Sequence, residues 1–215
     1  MKADIKLTVH KFFDQLADKN HRYLSWEHCY RYFHKSNLIV DVDKACLHLS
    51  FYLASWGMYR GSSFLLWKDY LIHKEVVTKL ISVREQFQDI SFSEIDDEVL
   101  SEIICLYDWI ENWYAENVGL VNGENRNTKP TAVLVTKIML GTLGCIPAYD
   151  RYFDQGLGVH NISPKTVTLK GLRALSNFYN ENVEEFLMLQ DELKYPAMKL
   201  VDMYFWQVGV DSSKI

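Results

Sequence analysis

Two opposite charges, Asp150 and Arg151, stand at a break in one of the most apolar parts of the chain. They belong to the segment 141–153, GTLGCIPAYDRYF, which leaves an apolar helix and breaks at a glycine and a proline before a new helix is predicted to begin. Asp150 has the chemistry of a general base, of a partner that orients Arg151, or of an N-cap for the helix that contains Tyr152. Because an ionised group in apolar surroundings is costly without a partner or a ligand, this segment is the first candidate site.

A second break in a predicted buried helix carries Arg60, Ser62 and Ser63. The helix is predicted to end near Gly57, and the new helix after Arg60 offers free N–H groups, two hydroxyls and a neighbouring guanidinium, which suit an anion. In the alternative, Ser62 caps the new helix and Arg60 pairs with an acid or with carbonyls at the helix end. Pairing of Asp150 with Arg60 is the hypothesis that unites both breaks in one pocket. The predicted site then has Asp150 as catalytic residue and, as ligand-binding residues, Arg60, Ser62, Ser63, Arg151 and Tyr152.

The composition predicts a globular protein with a large core. A chain of 215 residues suits one large domain or two intimate lobes, and 48% hydrophobic residues can fill a substantial core. We therefore expect one domain, 1–215, with the Gly- and Asn-rich loop 118–129 connecting the lobes if there are two. The first ten residues lack the apolar run of a secretory signal, and no apolar stretch approaches the roughly 20 residues of a membrane span. The sequence therefore predicts a cytoplasmic protein without a membrane partner.

The net charge of −5 is unevenly distributed along the chain. Residues 1–90 carry +3, residues 91–126 carry −8, residues 127–177 carry +4 and residues 178–215 carry −4. The overall acidity argues against strong nonspecific binding of nucleic acid, while the first and third blocks leave room for one basic face. The alternative is that the blocks neutralise one another in the fold.

Helical periodicity dominates the chain, which predicts an all-α fold with about eight to ten helices. Ser25 and Asp43 are the expected N-caps of two early helices, and the second, 44–56, is apolar nearly all round and is expected to be central. Gly156 and Gly158 are expected to end the short helix that follows Asp150. The predicted helices are 5–16, 25–34, 44–56, 64–67, 74–88, 93 or 96 to 117, 130–143, 150–155, 163–180 and 196–208.

Neither a metal nor a cofactor is predicted. The four cysteines are widely spaced and form no CxxC pair, which indicates free thiols rather than zinc ligands. The chain has no HExxH motif, no Gly-rich phosphate loop and no GxSxG motif. Arg22 and His28 have a loose spacing that looks like the site of HEPN ribonucleases and that arises readily by chance. The many aromatic residues occur at helical spacing, typical of a core or of an interface such as a homodimer face.

Part of the chain resembles the helix-hairpin-helix DNA glycosylases. Residues 129–132, Lys-Pro-Thr-Ala, precede an apolar helix, and residues 147–150, Pro-Ala-Tyr-Asp, follow it, in the order of that family's hairpin, helix and Pro-x-x-Asp turn. The resemblance implies an all-α, two-lobed fold with Asp150 as catalytic residue at the mouth of an inter-lobe cleft. The chain departs from the family in the hairpin, where 120–125 reads LVNGEN without the second glycine, and at Lys129, which precedes a proline.

The segments 54–63 and 147–153 together also look like an uncharacterised bacterial family of all-α proteins, a resemblance that implies no activity. Three functions follow as expectations. The first is a polar pocket of Arg60, Asp150 and Arg151 that binds an anionic ligand, with nucleic acid among the candidates. The second is a divergent glycosylase-like enzyme in which Asp150 activates water or stabilises a cationic transition state. The third is an interaction module whose acidic helix 94–117 meets a basic partner.

Overall fold

The structure, a computed structural model, describes residues 3–37, 39–93 and 95–213. Within these ranges the chain forms ten α-helices, three short 3₁₀ helices and one isolated β-bridge, and it contains no strand. The all-α prediction is therefore confirmed. The helices are α1 (Ile5–Phe13), α2 (Leu24–Phe33), α3 (Val42–Ser55), α4 (Lys74–Phe87), α5 (Asp97–Asn117), α6 (Ala132–Thr142), α7 (Arg151–Val159), α8 (Leu169–Glu181), α9 (Val183–Leu193) and α10 (Ala197–Ser212). The 3₁₀ helices are Asp14–Ala17, Phe64–Trp67 and Tyr70–His73.

Helices α6 and α10 form the centre of the molecule. Every residue of α6 from 134 to 142 is buried, and so is every residue of α10 from 197 to 209. Helix α3 packs against α2, α4, α6 and the 3₁₀ helix Tyr70–His73, but it is not buried all round, because its outward face leaves Leu47 and Phe51 about half exposed. The apolar residues of α3 thus exceed what its buried face requires.

Helix α7 lies against α10 at unusually short range, and glycines make this possible. A Cβ atom added to Gly156 on α7 would lie 2.0 Å from the carbonyl oxygen of Phe205, and one added to Gly209 on α10 would lie 1.9 Å from that of Tyr152. The prediction that Gly156 and Gly158 end the helix was wrong, since α7 continues to Val159. Gly156 serves close packing of two helices rather than helix termination.

The ends of several helices differ from the prediction. Asp41, not Asp43, caps α3, since its Oδ1 accepts the backbone N–H of Asp43 at 2.9 Å. Ser25 lies buried inside α2 and its hydroxyl has no hydrogen-bond partner among the described residues, so it does not cap that helix. Asp96 caps α5 as expected. Helix α9, Val183–Leu193, was not predicted, because its alternation of acids and apolar residues follows the preceding helix after only one intervening residue.

Two contacts join the acidic block 91–126 to the basic block that follows it. Lys129 forms an ion pair with Glu111 of α5 at 3.0 Å, and Arg173 of α8 pairs with Asp97 at the start of α5. Part of the charge segregation is therefore neutralised inside the fold, as the alternative interpretation of the sequence proposed. No described helix combines the length and the apolar character that a bilayer crossing requires.

Candidate functional site

Asp150 is the N-cap of α7 and one half of a buried ion pair. Its Oδ1 accepts the backbone N–H groups of Tyr152 and Phe153 at 3.1 and 3.2 Å. Its Oδ2 accepts a hydrogen bond from the Nζ of Lys137 at 3.0 Å. N-capping is therefore confirmed, and both carboxylate oxygens are occupied.

Lys137 is a residue of the candidate site that the sequence interpretation missed. It projects from the centre of α6, its side chain is only 4% exposed, and its Nζ lies 4.6 Å from the centre of a Trp56 ring. Asp150 and the electron-rich face of Trp56 together compensate the buried ammonium. The hypothesis that Arg60 is the partner of Asp150 was wrong, because Lys137 holds that position. A lone lysine within an otherwise apolar helix was the signal that could have identified it.

The turn before Asp150 is fixed by the core on both sides. Tyr149 donates its backbone N–H to the Oγ1 of Thr136 at 3.0 Å, and Ala148 donates its own to Asp202 at 3.0 Å. Asp202 is in turn paired with Lys199 at 3.0 Å, and both side chains are less than 10% exposed. Two buried ion pairs, Lys137–Asp150 and Lys199–Asp202, therefore fix the segment that precedes α7.

Arg22 and Arg151 both lie over aromatic rings. Arg22 donates from Nη1 to the carbonyl of Ser55, at the end of α3, at 2.8 Å, and its guanidinium carbon lies 5.1 Å from a Trp56 ring centre. Arg151 donates to the Tyr152 hydroxyl at 2.7 Å, with its guanidinium carbon 4.6 Å from the ring centre. Neither arginine has a carboxylate partner in the part of the chain that the structure describes, so each keeps N–H donors for a ligand.

Arg60 is exposed, and its guanidinium forms neither an ion pair nor a hydrogen bond with any residue in the described ranges. Its side chain folds back over Gly57, where an added Cβ would meet the Arg60 Nε at 2.9 Å. Gly57 also has a φ of +77°, which favours glycine. The alternative role that the sequence allowed for Arg60, binding of the carbonyls at the end of α3, belongs to Arg22.

These groups line one cleft of about 570 Å³ between the end of α3, the first half of α6 and the start of α7. Arg60, Asp150, Arg151 and Tyr152 are therefore brought together as the sequence predicted. Among the described residues that line it, Asp150 is the sole carboxylate, and it faces four cations. The cations are Arg22, Arg60, Lys137 and Arg151. Trp56 and Trp206 form an apolar part of the wall of this cleft. We call this space the basic cleft.

Ser62 and Ser63 line a neighbouring cleft of about 610 Å³. Ser63 caps the short helix Phe64–Trp67 by accepting the N–H of Leu65 at 3.3 Å, so the cap is one residue later than predicted. Ser62 is exposed. Lys129 also lines this second cleft. The two residues that the glycosylase resemblance singles out, Lys129 and Asp150, therefore line neighbouring clefts rather than one.

His28, the second residue of the HEPN-like spacing, is not among the residues that line the basic cleft, whereas Arg22 is. The structure therefore does not join this pair at the candidate site. The described residues also include no group of three or more His, Cys, Asp or Glu side chains that could hold a metal ion.

His73 lies in a buried hydrogen-bonded chain apart from the basic cleft. Its ring nitrogens contact the hydroxyls of Tyr114 at 2.5 Å and Tyr59 at 2.9 Å, and Tyr59 donates to Ser50 at 3.1 Å. Complete burial lowers the pKa of His73 to about 3. The neutral imidazole is therefore a structural element of the core.

We predict that acid destabilises the protein through His73. Because its pKa is about 3 when folded and about 6.5 when unfolded, only the unfolded chain binds this proton between those values. The free energy of unfolding should then fall by about 2 kcal/mol between about pH 7 and pH 5 through this residue. Urea titrations at both pH values measure the fall. The variant His73→Gln should lose this part of the pH dependence, and an unchanged slope would contradict the assignment.

A third cavity, of about 520 Å³, lies between α2, α9 and the segment 89–92. Its ionised groups already have partners, since Glu27 pairs with Arg31 at 2.8 Å, Asp89 with Lys35 at 3.2 Å and Lys194 with Asp191 at 2.6 Å. The basic cleft differs because its arginines lack such partners.

Comparison with known proteins assigns no relative. No protein-family model, no curated protein and no solved structure matches the chain. The function is therefore argued from the residues of the basic cleft.

Proposed function

We propose that this protein binds an anionic ligand in the basic cleft. The observation that carries the proposal is the imbalance of charge at its wall, where Arg22, Arg60 and Arg151 have no carboxylate partner among the described residues. A phosphate or carboxylate group on a ligand supplies the missing negative charge. Guanidinium groups suit both anions, because they donate two parallel hydrogen bonds.

Asp150 has a supporting role in this proposal. Its negative charge neutralises Lys137, and its capping of α7 places Arg151 at the edge of the cleft. Since its oxygens already accept three hydrogen bonds, the geometry favours binding over proton transfer by Asp150. The glycosylase-like alternative requires Asp150 to be released from Lys137 before it can act.

The proposal is tested by calorimetric titration with inorganic pyrophosphate. Arg60→Ala and Arg151→Ala should each weaken binding by at least about tenfold, since a hydrogen bond to a charged group contributes about 1.5–3 kcal/mol. Both side chains are exposed, so the variants should keep the melting temperature of the parent. Lys170→Ala, at an exposed lysine of α8 outside the cleft, is the matched control. Absence of pyrophosphate binding to the parent protein, or equal affinity in all variants, would refute the proposal.

A further inference from the structure

The basic cleft and the second cleft adjoin along a shared edge. Both are lined by Gly57, Met58 and Arg60, so Arg60 contacts both spaces. Helix α6 forms a shared side, with Thr131 at its N-cap facing the second cleft and Lys137 facing the first. Six residues of helix separate these two positions, about 9 Å along the axis. We call the two adjoining clefts, which both follow α6, the trough.

The two ends of the trough offer different chemistry. The basic cleft has guanidinium groups that lie over aromatic rings, Arg22 with Trp56 and Arg151 with Tyr152. The second cleft offers small polar groups, among them the exposed Ser62 hydroxyl and the side-chain amide of Asn127. The Oδ1 of Asn127 accepts the backbone N–H of Lys129 at 2.9 Å, which leaves its NH₂ group as a donor.

The trough wall carries a net positive charge, although two of its cations are already paired, Lys137 with Asp150 and Lys129 with Glu111. Its described lining residues include five cations and one carboxylate, and the fifth cation, Lys129, contributes from the second cleft. Arg60 lies between the ends, and its guanidinium has no hydrogen-bond or ion-pair partner in the described ranges, so its N–H groups are available to an anion. A lone phosphate cannot span about 9 Å of polar wall, so the trough suits a ligand with repeated anionic groups.

We propose that the trough binds a short segment of single-stranded nucleic acid. This inference rests on the proposed anion binding and specifies its ligand. One backbone phosphate binds Arg60, a flanking sugar-phosphate meets Ser62 and Asn127, and a base stacks on the arginine–aromatic layers of the basic cleft. Stacking on such layers requires unpaired bases, and it tolerates any sequence because every base has a flat face. The overall charge of −5 confines the attraction to this trough, so binding is expected to be local and sensitive to salt.

Fluorescence anisotropy with labelled oligothymidylate and oligouridylate of about 12 nucleotides tests the inference. Both should bind the parent protein, and thymidine monophosphate should bind at least about tenfold more weakly, because it reaches one end of the trough only. Arg60→Ala should weaken binding by at least about tenfold and reduce the slope of log affinity against log salt by about 0.7, the value for one phosphate contact on a single strand. Lys170→Ala should change neither quantity.

The outcomes separate this inference from the proposed function. Pyrophosphate binding that depends on Arg60, with no oligonucleotide binding, would overturn the inference and leave anion binding intact. Loss of both would overturn both. Equal affinity for the mononucleotide and the oligonucleotide would also overturn the inference, since it would show a single-phosphate pocket. Oligonucleotide binding that is insensitive to Arg60→Ala and Arg151→Ala would place the nucleic acid elsewhere and refute the trough.

Discussion

Replacement of Asp150 by alanine should destabilise the protein by about 3–5 kcal/mol, because it leaves the Lys137 ammonium buried without its counter-ion. Loss of the N-cap of α7 contributes about 1 kcal/mol of this cost. Such an effect is a large share of the stability of a typical domain. Urea unfolding followed by circular dichroism measures it as a shift of the midpoint at constant slope.

Two further variants separate the contribution of the Asp150 charge to stability from the contribution of its N-cap. Asp150→Asn keeps a side-chain oxygen for the N–H groups of α7 but removes the charge. We expect it to be destabilised nearly as much as Asp150→Ala. Adding Lys137→Met removes the buried ammonium as well, and the double variant should recover much of the lost stability. A cost below about 1 kcal/mol for Asp150→Ala, or no recovery in the double variant, would show that the ion pair is not buried as described.

Gly209→Ala should cost about 3 kcal/mol or more, because the new methyl group would lie 1.9 Å from the backbone carbonyl of Tyr152. The contact is with backbone, so relief requires α7 and α10 to move apart. Gly156→Ala should behave similarly, since its methyl group would meet the Phe205 carbonyl at 2.0 Å. Thermal unfolding of both variants, read as the change in melting temperature, measures the effect.

Gly158→Ala is the matched control, in the same helix as Gly156. Its added methyl group would meet only the flexible end of Lys165, at 2.7 Å from Nζ. Because alanine is the better helix former, this variant should be as stable as the parent or more stable by about 0.5–1 kcal/mol. A similar loss of stability at positions 156 and 158 would indicate that helix propensity, and not the packing of α7 on α10, governs these glycines.

The same glycines show why part of the fold could not be predicted. Periodicity of apolar residues was sufficient to locate most helices and the fold class, because each helix must bury one face. A glycine within such a pattern has two physical uses, termination and close approach, and only the neighbouring helix decides between them. Helix α3 gave the opposite error, since its exposed Leu47 and Phe51 look like core residues in the sequence.

The sequence identified the cleft residues that stand beside breaks and missed those that only the packing of the fold brings to the cleft. Arg60 and Arg151 follow breaks, where a charge is easily noticed, and the structure places both at one cleft. Lys137 and Arg22 required knowledge of which elements meet, since Lys137 lies within α6 and Arg22 in the turn before α2. For this reason Arg60 was assigned as the partner of Asp150. The sequence does not show that Lys137 is buried beside Asp150 and needs its charge.

The two walls of the basic cleft differ in how many stabilising contacts they form with the rest of the fold. The α7 wall depends on ion pairs and glycine contacts that reach into α10, so substitutions there affect stability before they affect binding. The opposite wall includes the loop from Arg60 to Ser62, whose residues are exposed and form no ion pair in the described ranges. Changes in ligand preference can therefore accumulate in this loop, by natural variation or by design, while the α7 wall remains constant.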